Sequence, residues 1–187
     1  DWCEGYARTF IDRDLTALGI RVSRVQMRKL WTMLAHVNGG VWNASRLAGS
    51  LGINYHTVNH YTDILEQTYL IRKLPSYYVN IGKRLTKSPK VLFRDTGLLH
   101  YFLGLRSRAD LEFHPARGKS WEAFLIEQLC GVSQTTTPGV EAFYWNPAAG
   151  SEVDVLLKKV HARQIEDMIR FLMLKHENIM RICLARM

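Results

Sequence analysis

Apolar positions recur at helical spacing through the first third of the chain. Tyr6, Phe10, Ile11, Leu15 and Leu18 form one stripe with Arg8, Asp12, Arg13 and Asp14 between them, which predicts an amphipathic helix over 6–18. Met27, Leu30, Trp31, Leu34 and Val37 form a second stripe over 23–37, with Arg24, Arg28 and Lys29 off it, and Asn38-Gly39-Gly40 stops it with residues that tolerate a left-handed turn. Asn43, Ala44 and Ser45 supply cap candidates for a short helix over 46–51, ended by Gly52. A longer helix is expected over 55–68, with Val58, Tyr61, Ile64, Leu65 and Tyr69 facing inward. Two helices joined at a glycine turn, the second with a polar outer face, make a helix-turn-helix pattern.

The period then changes. Residues 69–79 (YLIRKLPSYYV) and 90–94 (KVLFR) are rich in aromatic and β-branched side chains and read as strands around a basic, turn-forming 80–89. Three helices followed by a hairpin with a cationic tip is the winged-helix arrangement. A short helix over 98–103 and a polar, basic stretch over 104–119 follow, and a second unit begins at Ser120. Its first helix is expected to bury Trp121, Phe124, Leu125 and Leu129, and 141–145 with 152–157 read as a hairpin. In the second of those strands Val153, Val155 and Leu157 alternate with Glu152 and Asp154, so the two carboxylates share a face. A helix over 164–175 and a strand over 179–184 complete the pattern. The fold class is therefore α+β: an N-terminal helix (1–22), a winged-helix domain (23–104), a basic linker (105–119) and a small α/β unit (120–187).

Charge changes this picture because it is concentrated. Of 25 Lys and Arg against 17 Asp and Glu, eleven cations and three acids fall between 71 and 120, a local net of +8 equal to the net of the whole chain. A cationic ridge favours a polyanion, since each neutralised phosphate releases condensed counterions. DNA is the expected partner. Asn54, Tyr55, His56, Thr57, Asn59 and His60 would present hydrogen-bonding groups from the second helix, while Lys83, Arg84, Lys87 and Lys90 at the hairpin tip and Arg72 on the first strand would meet phosphates. No apolar run reaches the roughly 18 residues that span a bilayer, so no membrane partner is expected. Cys3, Cys130 and Cys183 are widely spaced and odd in number, which speaks against a disulfide framework and for free thiols in the cytoplasm.

Three candidate chemistries can be weighed. Asp95-Thr96-Gly97 after Val91-Leu92-Phe93 has the local form of an aspartic protease loop, but no second copy exists to share a proton, and a helix cap is the better reading. His56 and His60 have the i, i+4 spacing of a zinc pair without a third ligand, so no zinc is expected. Glu122 and Asp154 are the acidic pair that a Mg²⁺-dependent nuclease of the restriction-endonuclease kind would place on a helix and a strand. The Glu-x-Lys element such an enzyme needs does not follow Asp154, so the set is incomplete and enzyme activity is left open. No phosphate-cradling G-x-x-x-x-G-K-[ST] is present, so the chain carries no ATPase motif of its own.

The stretches YARTFIDRDL, NASRLAGSLGINYHTVNHYTDILEQTYLIRKLP, NIGKRLTKSPKVLFRDTGLL, GKSWEAFLIEQL and FYWNPAAGSEVDVLL together resemble the C-terminal region, domain of unknown function 4143, of bacterial and archaeal AAA+ ATP-binding proteins. The resemblance covers residues 2 to about 157 and implies a P-loop ATPase upstream of Asp1, using ATP and Mg²⁺, with the present chain a fragment that binds no cofactor itself. It also implies a winged helix in the middle and a nuclease-like unit at the end, with Glu122 and Asp154 at the acidic positions. After Leu157 the chain departs from the pattern, because Lys158-Lys159-Val160 replaces the approach to Glu-x-Lys. The expected function is DNA binding with an inactive nuclease-like domain. Alternatives are a protein-interaction or homo-oligomerisation module of the ATPase, and a Mg²⁺-dependent nuclease.

Overall fold

The computed structural model describes residues 2–77, 87–146 and 152–159, together with the backbone of strands Ile169–Leu174 and Met180–Cys183. The first amphipathic stripe becomes α1 (Trp2–Thr9), a π-helical turn (Phe10–Asp14) and α2 (Leu15–Ala17). Phe10 and Ile11 of the π-helical turn are both buried. The second stripe becomes α3 (Arg24–His36), capped by Ser23, whose side chain accepts from the Gln26 amide. Next come β1 (Gly40–Val41), α4 (Ala44–Leu51) and α5 (Tyr55–Gln67). Gly52 ends α4 at φ 63°, a left-handed conformation that costs glycine nothing.

The strands β2 (Ile71–Leu74) and β3 (Lys90–Phe93) pair antiparallel, and β1 adds to the far edge of β3, giving the order β1-β3-β2. Every residue of β3 is buried, so both of its faces are covered. Val91 and Phe93 enter the helical core with Trp31, Leu34 and Leu65, whereas Leu92 and Leu74 enter a second core with Ala123, Ile126, Cys130, Tyr144 and Val155. The helices cover one face of this small sheet and the C-terminal unit covers the other.

After β3 comes α6 (Thr96–Phe102), whose Leu98, Leu99 and Phe102 still belong to the helical core. The C-terminal unit is made of α7 (Arg108–Glu112), the long α8 (Arg117–Thr136) and the antiparallel sheet β4-β5-β6-β7, with β4 at Val140–Trp145, β5 at Val153–Lys159, β6 at Ile169–Leu174 and β7 at Met180–Cys183. A parallel bridge between Ser76 and Tyr144 joins the chain after β2 to β4. The Tyr77 amide donates to the Tyr144 carbonyl, and the Tyr144 amide donates to the Pro75 carbonyl at 2.9 Å.

Three expectations are corrected here. The helix over 164–175 gives way, within the described residues, to β6, because the run Ile169–Leu174 finds ladder partners on β5 from Val155↔Leu172 to Lys158↔Ile169. A short apolar run of this kind does not separate the two periods. The stretch 105–119 is not a plain linker: Ser107 and Asp110 build a reciprocal capping box for α7, and α8 starts at Arg117. On α8 the buried face is Ser120, Ala123, Ile126 and Cys130, while Trp121 and Phe124 stand 58% and 40% exposed. This face packs against Leu74, Leu92, Tyr144 and Val155.

Asp95 is the N-cap of α6, its carboxylate accepting from the Leu98 amide at 2.9 Å. A Cβ on Gly97 would meet that carboxylate at 3.0 Å, which accounts for the glycine of the triplet without any protease chemistry. Asp95→Ala is expected to lower stability by about 1 kcal/mol, measured as the urea midpoint at constant slope. An unchanged midpoint would contradict the capping role.

Candidate functional site

The alternation of side chains along β2 and β3 decides where the cations of the middle segment go. Arg72 and Leu74 on β2, with Lys90, Leu92 and the following Arg94, point toward the C-terminal unit. Ile71 points the other way, into the helical core, and so does Lys73, toward α5. Each of the four cations meets acids there. Lys73 pairs with Asp63, and with Glu66 at 3.1 Å, both from α5. Arg72 and Arg94 converge on Glu127 of α8: Arg72 Nη2 lies 3.1 Å and Arg94 Nε 2.9 Å from its Oε2, and Arg72 Nε also donates to Oε1. Arg94 additionally lies 5.1 Å from the ring centroid of Tyr69.

Lys90 is the most enclosed of the four, 5% exposed. Its Nζ lies 3.2 Å from Glu122 on α8, 2.7 Å from Glu152 just before β5 and 3.4 Å from Asp154 on β5. It also sits 5.5 Å from the centroid of the Tyr144 ring. Burial alone would lower the Lys90 pKa, but the three surrounding carboxylates reverse that and hold it above the ordinary lysine value. Burial raises Glu122 and Asp154 above the usual carboxylate range, against the pull of Lys90. Glu122 and Asp154 are thus brought together, as the sequence pairing implied, around a lysine that the sequence reading had placed elsewhere.

The metal reading can be tested on these atoms. Mg²⁺ takes oxygen ligands at about 2.0–2.1 Å in near-octahedral order. Here the oxygens surround an ammonium at 2.7–3.4 Å, and among the described residues no three His, Cys, Asp or Glu side chains form a group able to hold a metal. As folded, the site does not fit Mg²⁺, and no chemistry is derived through one.

The remaining expected contacts divide in three ways. On α5, Tyr55, His56 and His60 are exposed and Thr57 is half-buried. Asn54 is the helix cap, accepting from the His56 amide at 2.7 Å, and the Asn59 side-chain oxygen accepts from Trp42 Nε1 at 3.3 Å, so the structure uses both amides internally. Lys87 is exposed, whereas Lys83 and Arg84 lie outside the described residues. Arg72 and Lys90 must be withdrawn as phosphate contacts, because their charge is neutralised by Glu127 and by Glu122, Glu152 and Asp154 inside the fold. Four of the eleven cations counted over 71–120 are thus met in space by acids from α5, α8 and the start of β5.

Two features escaped the sequence reading. One is the two-arginine clasp on Glu127. Its signal was present as the Ala123, Ile126, Cys130 stripe, which turns Glu122 and Glu127 to its two borders. The other is a contact of 2.6 Å between His100 Nε2 and Ser120 Oγ; Ser120 is buried, so the hydroxyl is shut off from any substrate.

A family model described as Domain of unknown function (DUF8612) matches residues 1–109, through the first residues of α7. It is a different family from domain of unknown function 4143. Uncharacterized protein Mb2031c of Mycobacterium bovis and Uncharacterized protein Rv2008c of Mycobacterium tuberculosis are each 40% identical over 157 residues, which is 84% of this chain and 35% of theirs. The chain therefore spans about a third of the length of these curated relatives. Among solved structures, the transcriptional regulator PA3341 aligns with 70% of this chain and 93% of its own at 18% identity and a TM-score of 0.30, too loose a superposition to carry an argument.

Proposed function

Since the chain belongs to the family described as Domain of unknown function (DUF8612), a description that names no activity, we propose from its geometry that it is a DNA-binding winged helix. In this reading α3, α4 and α5 with β1-β3-β2 form the winged helix-turn-helix, and α5 enters the major groove. The observation that carries it is the α4–Gly52–α5 turn. It buries Val58, Tyr61, Ile64 and Leu65 on one side of α5 and leaves Tyr55, His56 and His60 exposed on the first two turns of the other. Lys87, with Lys83 and Arg84, would supply phosphate contacts from the wing. The C-terminal unit is read as a nuclease-like scaffold, supported by the meeting of a helix Glu and a strand Asp, and as inactive because Lys90 holds both. An upstream AAA+ ATPase belongs to the same reading. It rests on the sequence resemblance and on relatives about three times longer than the matched segment.

The test is duplex binding by fluorescence anisotropy across a salt series. Affinity is expected to fall steeply with salt, and the combined Lys83→Ala, Arg84→Ala, Lys87→Ala variant is expected to lower the log–log slope by about 3. His56→Ala with His60→Ala should weaken binding while leaving that slope nearly unchanged. Salt-independent affinity, or no effect from either set, would remove the reading.

A second reading is favoured by one observation. Trp121 and Phe124 stack at 5.6 Å on the open face of α8, an exposed apolar pair of the kind that interfaces bury. It would make the C-terminal unit a protein-interaction or homo-oligomerisation surface. If Trp121→Ala with Phe124→Ala changes the mass seen by light scattering, this reading is favoured.

A further inference from the structure

The carboxylates of Glu122, Glu152 and Asp154 come from three places in the chain, and a cation already stands between them. That cation is covalently part of the protein, delivered by the first residue of β3, which belongs to the other sheet. Lys90 is 5% exposed, and its cross-strand neighbours Val41 and Leu74 offer it no charge. Nothing in its own sheet needs an ammonium at that position, where an apolar side chain would continue the Leu92–Leu74 contact. The need arises from the opposite side, where two of the three acids are largely enclosed.

We infer that Lys90 is the built-in substitute for a divalent cation at a carboxylate site, so that the native chain takes up no metal and a neutral isostere at position 90 opens a latent divalent-cation site. The ammonium supplies one positive charge to three acids and holds their oxygens 2.7–3.4 Å from its nitrogen. A divalent ion would bring more charge and draw the same oxygens inward to about 2.0–2.6 Å. Glu152 has the most freedom to follow, its side chain being 46% exposed. The inference stands on this geometry alone and does not depend on nucleic-acid binding. It also gives Lys90 a role in fixing which cation the site accepts.

The experiment titrates Mn²⁺ into the full chain and follows the free-ion signal by electron paramagnetic resonance, for wild type, Lys90→Met and Lys90→Arg. Wild type and Lys90→Arg, which both keep a cation in place, are expected to show no saturable site. Lys90→Met is expected to bind one equivalent at least tenfold more tightly than wild type, to gain thermal stability with Mn²⁺, and to lose both on addition of Asp154→Asn. If Lys90→Met folds only when Mn²⁺ is present, that also supports the inference. Where it does not fold, Lys90→Met with Glu152→Gln, which removes one repelling charge, is read in the same way. Saturable Mn²⁺ binding by wild type that Asp154→Asn abolishes would overturn the inference, as would folded Lys90→Met without a site, or failure of both variants to fold with or without Mn²⁺.

Discussion

Glu127→Ala is expected to destabilise the chain by about 3–5 kcal/mol, the range found when one partner of an enclosed ion pair is removed and its counter-charge is stranded. Glu127 is shared by Arg72 and Arg94, and all three side chains are less than a third exposed. Without the carboxylate two guanidinium groups face each other beside the core formed by Leu74, Leu92, Ile126 and Cys130. The loss is therefore more than one hydrogen bond. Truncating Arg94, the more open of the two cations, should cost much less, because Arg72 still covers the acid. Chemical denaturation of Glu127→Ala and Arg94→Ala checks both. A loss below about 1 kcal/mol for Glu127→Ala would mean that the clasp is solvated in solution. The same variant should also loosen α8 from the small sheet, visible as faster amide exchange along β3 than along α3.

Trp31→Ala is expected to cost a similar amount, about 3–5 kcal/mol, through lost burial and the cavity left behind. Trp31 is 0% exposed and lies between Phe10 of the π-helical turn, at 5.5 Å, and Phe102 of α6, at 4.7 Å. It joins the N-terminal helix, α3 and α6 in one core. Its Nε1 has no hydrogen-bond partner among the described residues, so Trp31→Phe removes a buried unsatisfied donor along with some volume and should cost far less than Trp31→Ala. Equal losses for the two variants would show that the indole nitrogen is satisfied after all. The thermal midpoint and its urea counterpart measure this contrast directly.

The binding surface that remains after these pairings is narrower than the charge count suggests. Arg72, Lys73, Lys90 and Arg94 all have acidic partners, and the open side of α5 carries Tyr55, His56 and His60, with Asp63 and Glu66 tied to Lys73 farther along. On the proposed reading, duplex affinity would then lean on the wing and on the hydrogen-bonding groups at the open side of α5.

Local rules were enough to predict the helices of the first seventy residues but not every facing: Leu18 and Tyr69, expected inward, stand 63% and 74% exposed. The Met27, Leu30, Trp31, Leu34 stripe has no competing period, Ser23 and Asn54 cap as such residues do, and Gly52 turns left-handed as its position suggested. Asp95 as a cap and the pairing of β2 with β3 follow from the same short-range chemistry. The sequence also put Glu122 on a helix and Asp154 on a strand, and the two do meet. Other features depend on which surfaces come together. Whether Ala123 or Phe124 faces inward is undecided by spacing, since both lie on apolar stripes of α8; in the fold Ala123 packs with Leu74, Leu92 and Val155, and Phe124 stays 40% exposed. Ile169–Leu174 could be helix or strand until β5 offers it a ladder. The fate of the cations is the clearest case. Linear counting adds charges within a window, but ion pairs form across it: Arg72 with Glu127 and Lys90 with Asp154 lie 55 and 64 residues apart. Composition fixes how much charge the chain carries, and packing alone decides how much of it reaches the surface.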